Sequence, residues 1–230
     1  MHRPIVILGG MGPQASLRFQ ELLIQKSESY HNGNGDEYPF IVHFSLPVID
    51  FISDESAKQD AITTISRLTR PIEALKPQQI TLACNTAHLL IPDIPLLQNA
   101  RFKSLIEATA QVIADDGIKK IGLLGSPTTI RSGLYTAALN TRGVSVISPN
   151  VRQQKALEQC IRAVIAGSAQ STDAEALLDI AMSLVKQGAQ AIVLGCTELP
   201  LLFPKKESPA PYYDTLEVYA QAVIDRYYSV

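Results

Sequence analysis

The chain has 230 residues, 46% hydrophobic and 18% charged, the composition of a folded globular protein with room for one large domain or two small ones, not of a disordered chain. The formal net charge is −2 and no basic run is longer than Lys119-Lys120 or Lys205-Lys206, which excludes nucleic acid and an anionic membrane surface as expected partners. Three cysteines without a C-x-x-C pair exclude a disulfide framework and speak against structural zinc; with an N-terminal apolar run too short for a signal segment, they lead us to expect a cytoplasmic protein.

In chain order, Pro4 to Gly10 reads as a buried parallel strand that breaks into the turn Gly9-Gly10-Met11-Gly12-Pro13, and Leu17, Leu22 and Leu23 mark a helix after it. Tyr38 to Leu46 reads as a second strand, Lys58 to Leu75 as a helix, and Gln79 to Ala83 as a third strand delivering Cys84, with Pro47 and Pro77 as punctuation. A second round starts near residue 104. Leu105 to Ala114 reads as a helix, Lys120 to Ser126 repeats the first strand and its turn, and Val144 to Ile147 is a further strand. Leu157 to Ile165 and Ala174 to Gln187 read as helices, and Ala191 to Gly195 is the strand that delivers Cys196. After the Pro-rich stretch Pro204 to Pro211, Asp214 to Tyr228 reads as one amphipathic helix returning to the first half.

Alternating strands and helices predict βα units and mainly parallel sheets. The two glycine turns lie 116 residues apart, at 9 and 125, and the two strand-end cysteines 112 apart, at 84 and 196. The halves therefore correspond to within four residues and predict an α/β protein of two pseudo-symmetric three-layer lobes with a cleft between them. The expected division is residues 1–103 plus 212–230 for the lobe carrying Cys84, and 104–211 for the lobe carrying Cys196.

In an open parallel sheet, ligands bind beyond the carboxyl ends of the strands. Four loops stand there: Gly9 to Ser16, Ala83 to His88, Gly125 to Ser132 and Gly195 to Glu198. Glycine turns let backbone N–H groups approach an anion, and Thr and Asn side chains add donors, so the expected ligand is a small carboxylate. The first turn is not a dinucleotide fingerprint, because residue 15 is alanine, and no phosphate-binding G-x-x-x-x-G-K-[ST] occurs.

The segments Ile80-Thr-Leu-Ala-Cys84-Asn-Thr-Ala and Ile192-Val-Leu-Gly-Cys196-Thr-Glu-Leu look alike, each an apolar run ending in a polar turn. A thiolate is both nucleophile and base, and two of them facing one ligand suit chemistry that needs a base on each side of a carbon. A helix starting after each cysteine would lower the thiol pKa from about 8.5. Cys160, within the helical pattern Leu157, Ile161 and Val164, reads as a core residue. His88 has two readings, a group that orients or protonates a neighbouring thiol or a helix-face histidine bonded to backbone. Glu198 likewise either holds an ammonium group or a thiol proton, or complements a helix N-terminus.

Ala83-Cys84-Asn85-Thr86-Ala87-His88, Gly195-Cys196-Thr197-Glu198 and the start Leu8-Gly9-Gly10-Met11-Gly12-Pro13 together resemble the aspartate/glutamate racemase family, over nearly the whole chain. The His that closes the first motif and the Glu that follows G-C-T are closer to the aspartate racemase branch than to the glutamate racemase branch. The resemblance implies a cofactor-independent amino-acid racemase, an isomerase that needs no metal, pyridoxal phosphate or nicotinamide, with its active site in the cleft. Cys84 and Cys196 are then the acid–base pair on the α-carbon. Met11, Gly12, Asn85, Thr86 and Thr197 hold the substrate carboxylate and amine, Thr128 and Thr129 join them from the second turn, and His88 and Glu198 stand behind the thiols.

One departure bears on the substrate. Where the aspartate racemase pattern has an arginine after a Pro and an Asp, the chain reads Pro47-Val-Ile-Asp50-Phe51-Ile52, and Ile165-Ala166-Gly167 offers no lysine. An arginine fork suits a second carboxylate and phenylalanine does not, so a substrate with a neutral or apolar side chain is expected. Alternative readings are a related isomerase or decarboxylase of the same fold acting on a maleate-, hydantoin- or malonate-like compound, or a non-catalytic carboxylate-binding relative. A homodimer is expected through Leu89-Leu90-Ile91 and Leu201-Leu202-Phe203.

Overall fold

The computed structural model describes residues 3–48, 57–98 and 101–229. The chain divides into two compact units, Met1–Ala108 with Leu216–Val230, and Thr109–Thr215. In the first, β1 (Ile5–Gly9) is the central strand of a parallel sheet, flanked by β2 (Ile41–Ser45) and β3 (Gln79–Leu82), with Ile5 in register with Ile41 and with Gln79. The second unit repeats that order. There β4 (Lys120–Leu124) lies between β5 (Ser145–Ile147) and β6 (Ala191–Leu194), and β7 (Tyr212–Asp214) adds a fourth parallel strand beside β6. A parallel bridge from Phe102 to Ile80 takes the place beside β3 that β7 takes beside β6. The architecture is thus α/β, two lobes each built on a parallel sheet.

All five residues of β1 are buried, as are all four of β6, which is why these strands are continuous apolar runs without polar alternation. Helix α1 (Pro13–Ser27) starts with proline in its first turn, where a missing N–H costs nothing, and buries Ala15, Phe19, Leu22 and Leu23 along one stripe. The last helix, α8 (Thr215–Tyr228), belongs to the first unit from Leu216 onward. Its Tyr219 ring stacks on Phe19 at 5.0 Å, and the Gln79 side chain donates to the Val223 carbonyl at 2.8 Å.

Several elements differ from the sequence reading for identifiable reasons. Lys58 to Leu75 is not one helix: α2 (Lys58–Leu68) ends and a 3₁₀ segment, Arg70–Leu75, follows, because Pro71 lacks an N–H and disfavours the α conformation in the residue before it. Helix α3 spans Leu105–Asp115. The stretch after β4 holds two short helices that the apolar pattern does not mark, α4 (Pro127–Ser132) and α5 (Leu134–Asn140). Helix α6 (Val151–Ile165) starts six residues before Leu157, since Asn150 and Gln153 form a reciprocal cap with both bonds at 3.0 Å. Helix α7 (Ser171–Lys186) starts early in the same way, through Gln170 and Asp173. Strand β7 takes in Asp214, where the sequence pattern predicts the start of the last helix, and α8 begins one residue later at Thr215.

No helix among the described residues is long and apolar enough to cross a membrane. Of the residues expected at a dimer interface, Leu90 is fully buried in the core of the first unit and Phe203 is buried against Tyr212 in the second, whereas Leu201 is exposed.

Candidate active site

The glycine turn after β1 is sterically compulsory. Gly10 has φ +90°, and a Cβ there would lie 2.3 Å from the Leu46 carbonyl oxygen, a backbone atom that cannot swing away. Gly12, with φ +36°, caps α1. The Ser16 hydroxyl holds the loop by accepting from Gly10 N–H at 3.2 Å and donating to the Pro13 carbonyl at 3.0 Å. Met11 is half-buried and packs on the core of this unit.

At the carboxyl end of β3, Cys84, Asn85 and Thr86 are all buried. The helix that follows is a 3₁₀ helix, Thr86–Asp93, with Pro92 inside it, not the α-helix that the sequence suggests. His88 is buried and its two nitrogens are committed to main-chain groups. Nδ1 lies 2.8 Å from the Cys84 carbonyl, and Nε2 accepts the Leu105 N–H at 3.0 Å. A carbonyl only accepts and an amide N–H only donates, so the proton sits on Nδ1 and the ring is neutral. Burial pushes its pKa down to about 4, and the bonds to Cys84 and Asn85 backbone offset only part of that. His88 therefore joins the backbone of Cys84 to the first residue of α3, with both ring nitrogens taken up by main-chain groups.

In the second unit the turn after β4 is looser. Gly125 has an ordinary φ, and a Cβ there would meet nothing closer than 3.4 Å. Ser126 caps α4, its Oγ accepting from Thr129 N–H at 3.1 Å and donating to Thr129 Oγ1 at 3.0 Å. Thr128 and Thr129 are both buried, and the exposed Arg131 reaches Thr128 Oγ1 at 3.4 Å. The Gln154 amide of α6 donates to the Gly125 carbonyl at 3.0 Å, so α6 begins beside this turn.

Beyond β6, Cys196, Thr197 and Glu198 are buried, and a short 3₁₀ turn, Leu199–Leu201, follows. Cys196 Sγ donates to Glu198 Oε2 at 3.2 Å, and Thr197 Oγ1 donates to the same oxygen at 3.0 Å. The two cysteines thus end equivalent strands with different neighbours.

Sequence reasoning missed two tyrosines that support these strand ends. Tyr219 OH accepts from Leu82 N–H at 3.4 Å and donates to the Lys103 carbonyl. Tyr135 is fully buried with its ring beneath Gly195, 3.4 Å from where a Cβ would stand, and is hydrogen-bonded to Thr109 and Thr215. Thr215 Oγ1 in turn holds the Leu194 carbonyl at 3.1 Å. Burial raises the pKa of both phenols, which stay neutral. No motif marks either residue; their roles come from partners distant in sequence.

Cys160 is buried on α6 with its thiol directed at the Asp173 carbonyl at 3.4 Å, and burial raises its pKa. Ile165 is half-buried at the end of α6. Phe51 lies outside the described residues.

A family model described as Asp/Glu/Hydantoin racemase matches residues 8–223. The chain belongs to that family. The Asp/Glu/Hydantoin racemase membership makes it an isomerase of the racemase class. The broad specificity amino-acid racemase RacX of Bacillus subtilis (strain 168) is 28% identical over 225 residues, 97% of either chain. Among solved structures, the aspartate racemase of Picrophilus torridus superposes with a TM-score of 0.83 at 25% identity, over 98% of this chain and 94% of that one. An aspartate racemase homologue from Pyrococcus horikoshii gives a TM-score of 0.78 at 25% identity, over 97% and 98%.

Proposed function

We propose that the protein is a cofactor-independent amino-acid racemase in which Cys84 and Cys196 are the two acid–base groups on the substrate α-carbon. What carries this reading is the occurrence of a buried cysteine just past the end of corresponding strands, β3 and β6, in a chain of this family. One thiolate removes the α-proton and the other thiol returns a proton to the opposite face. General acid–base transfer supplies roughly 10²–10⁴-fold, so the remainder falls to donors that stabilise the carbanion through its carboxylate. In this proposal those donors are Asn85, Thr86 and Thr197, the Met11–Gly12 turn, and Thr128 and Thr129, in a site that excludes water.

For the substrate we infer an amino acid with a neutral or apolar side chain. The support is Phe51 and Ile165 in the sequence, where the aspartate racemase pattern has cations, together with the likeness to a racemase named for broad specificity. The same proposal includes a cytoplasmic homodimer, for which Leu201 and Leu17, 45% and 62% exposed, are available contact residues and light scattering is the test.

The deciding experiment incubates the protein with a panel of free amino acids in D₂O and follows loss of the α-hydrogen by NMR. Exchange with inversion in one or more neutral amino acids is expected. Strong turnover of aspartate with little of anything else overturns the substrate reading, and exchange in no amino acid overturns the racemase reading. The family description also names hydantoins, so 5-substituted hydantoins belong in the same panel.

A further inference from the structure

We infer that Val48, together with Met11, is the specificity-determining wall for the substrate side chain: it receives that side chain as hydrocarbon and sets how large it can be. This rests on the racemase reading above and deepens it, naming an aliphatic or thioether side chain as the class and two residues that select it. Both belong to the first unit, on the loops that leave β1 and β2 at their carboxyl ends, where a parallel sheet places its ligand.

The two loops are locked together. Leu46 N–H donates to the Gly9 carbonyl at 3.0 Å, and the Leu46 main chain lies so close to Gly10 that no side chain fits there. Val48 N–H then donates back to the Leu46 carbonyl at 2.9 Å, a three-residue turn that keeps Val48 beside Leu46 instead of letting β2 run on. Val48 and Met11 are both half-buried, and both pack on the apolar cluster that contains Leu46, Ala87 and Cys84 itself. Cys84 thus sits in a hydrocarbon surface, and Met11 and Val48 are the members of it that stand on the loops directly after β1 and β2.

This unit offers a second carboxylate no cation at that place. The sequence holds no lysine or arginine in residues 9–17, 46–57 or 83–98, the segments that follow β1, β2 and β3. Arg18, the first arginine beyond the glycine turn, is bonded to Glu217 at 3.0 Å, and Lys58 at the start of α2 to Asp93 at 3.0 Å. A charged side chain against Met11 and Val48 would lose water without gaining a partner, whereas an apolar one gains from burial.

The test reads ratios of kcat/KM between amino acids, because a variant that only loosens the fold lowers every substrate alike. Val48→Ala is expected to raise leucine relative to alanine about tenfold, and Met11→Ala to move the ratio the same way, since each opens room for a larger side chain. Val48→Phe is expected to lower that ratio about tenfold. Val48→Arg supplies a fork for a carboxylate and is expected to raise aspartate relative to alanine about tenfold or more. Leucine-to-alanine ratios within about twofold of wild type in Val48→Ala, Val48→Phe and Met11→Ala would overturn the assignment.

If Val48→Phe or Val48→Arg does not fold, Val48→Ile adds a single methylene, and a fall of about threefold in the leucine-to-alanine ratio supports the assignment while an unchanged ratio overturns it. Absence of turnover of every amino acid by the wild-type protein overturns the racemase reading and this inference together. Turnover with substrate ratios indifferent to residues 11 and 48 overturns this inference alone.

Discussion

At the end of β3, the Cys84 backbone is held by a neutral histidine that bonds only to main chain; at the end of β6, the Cys196 thiol itself is bonded to a carboxylate. The turns alongside differ as well. Gly10 stands in a conformation and a space that admit no side chain, whereas Gly125 is in an ordinary conformation with ordinary neighbours. The same strand order has been kept in both units while the chemistry around equivalent positions has diverged. A repeated topology needs only apolar strands of the right spacing, and polar side chains at strand ends are free to differ. The consequence is a histidine on the main chain of one cysteine and a carboxylate on the thiol of the other.

The largest expected effect removes the thiols themselves. Cys84→Ala and Cys196→Ala should each lower racemisation by about 10³-fold or more, measured by polarimetry, with exchange retained on one face only. Full activity in either variant would break the equivalence of the two strand ends. Next come the turns. Gly10→Ala should destabilise the protein by roughly 3 kcal/mol or more, from left-handed strain plus the clash with Leu46 backbone. Gly125→Ala should cost under about 1 kcal/mol, because its Cβ meets only van der Waals neighbours. Equal midpoints in urea for the two variants would erase the contrast between the turns.

The histidine gives a pH signature. Its folded pKa of about 4 lies below the ordinary value of 6.5, so between those values the unfolded chain binds the proton and the folded chain does not. The contribution of neutral His88 is therefore complete above about pH 6.5 and is lost as pH falls toward 4, by on the order of 3 kcal/mol. His88→Asn should flatten that part of the stability profile in denaturant titrations, and an unchanged slope would refute the assignment. The smallest effect concerns the third thiol. Cys160→Ala should cost about 1 kcal/mol with kcat unchanged, since it removes one buried sulfur far in sequence from either strand end.

Much of this architecture is legible in one dimension. Strands buried on both faces announce themselves as apolar runs, so β1 and β6, and β4 after its leading lysine, can be located from Val, Ile and Leu, whereas β3 is buried throughout yet reads Gln-Ile-Thr-Leu and is marked by its punctuation. Elements begun by caps are harder: α6 and α7 start before their apolar stripes because Asn150 with Gln153, and Gln170 with Asp173, satisfy the first N–H groups. Strand β7 escapes notice because three residues, two of them half-buried tyrosines, carry too little periodicity.

For the site, the sequence by itself determined the residue types at the strand ends, the pairing of Cys84 with Cys196 through the repeat, and the separation of both from Cys160. It could not decide what each polar side chain does, because hydrogen bonds depend on direction and on partners far along the chain. By spacing alone His88 fits a thiol or a backbone equally well; only the position of Leu105 N–H, seventeen residues later, makes Nε2 an acceptor and the ring neutral. Tyr135 and Tyr219 acquire their places from Thr109, Thr215 and Lys103. Glu198 became a partner of the thiol because a tight turn brings Oε2 back to Sγ, a contact set by local backbone geometry that no spacing rule specifies.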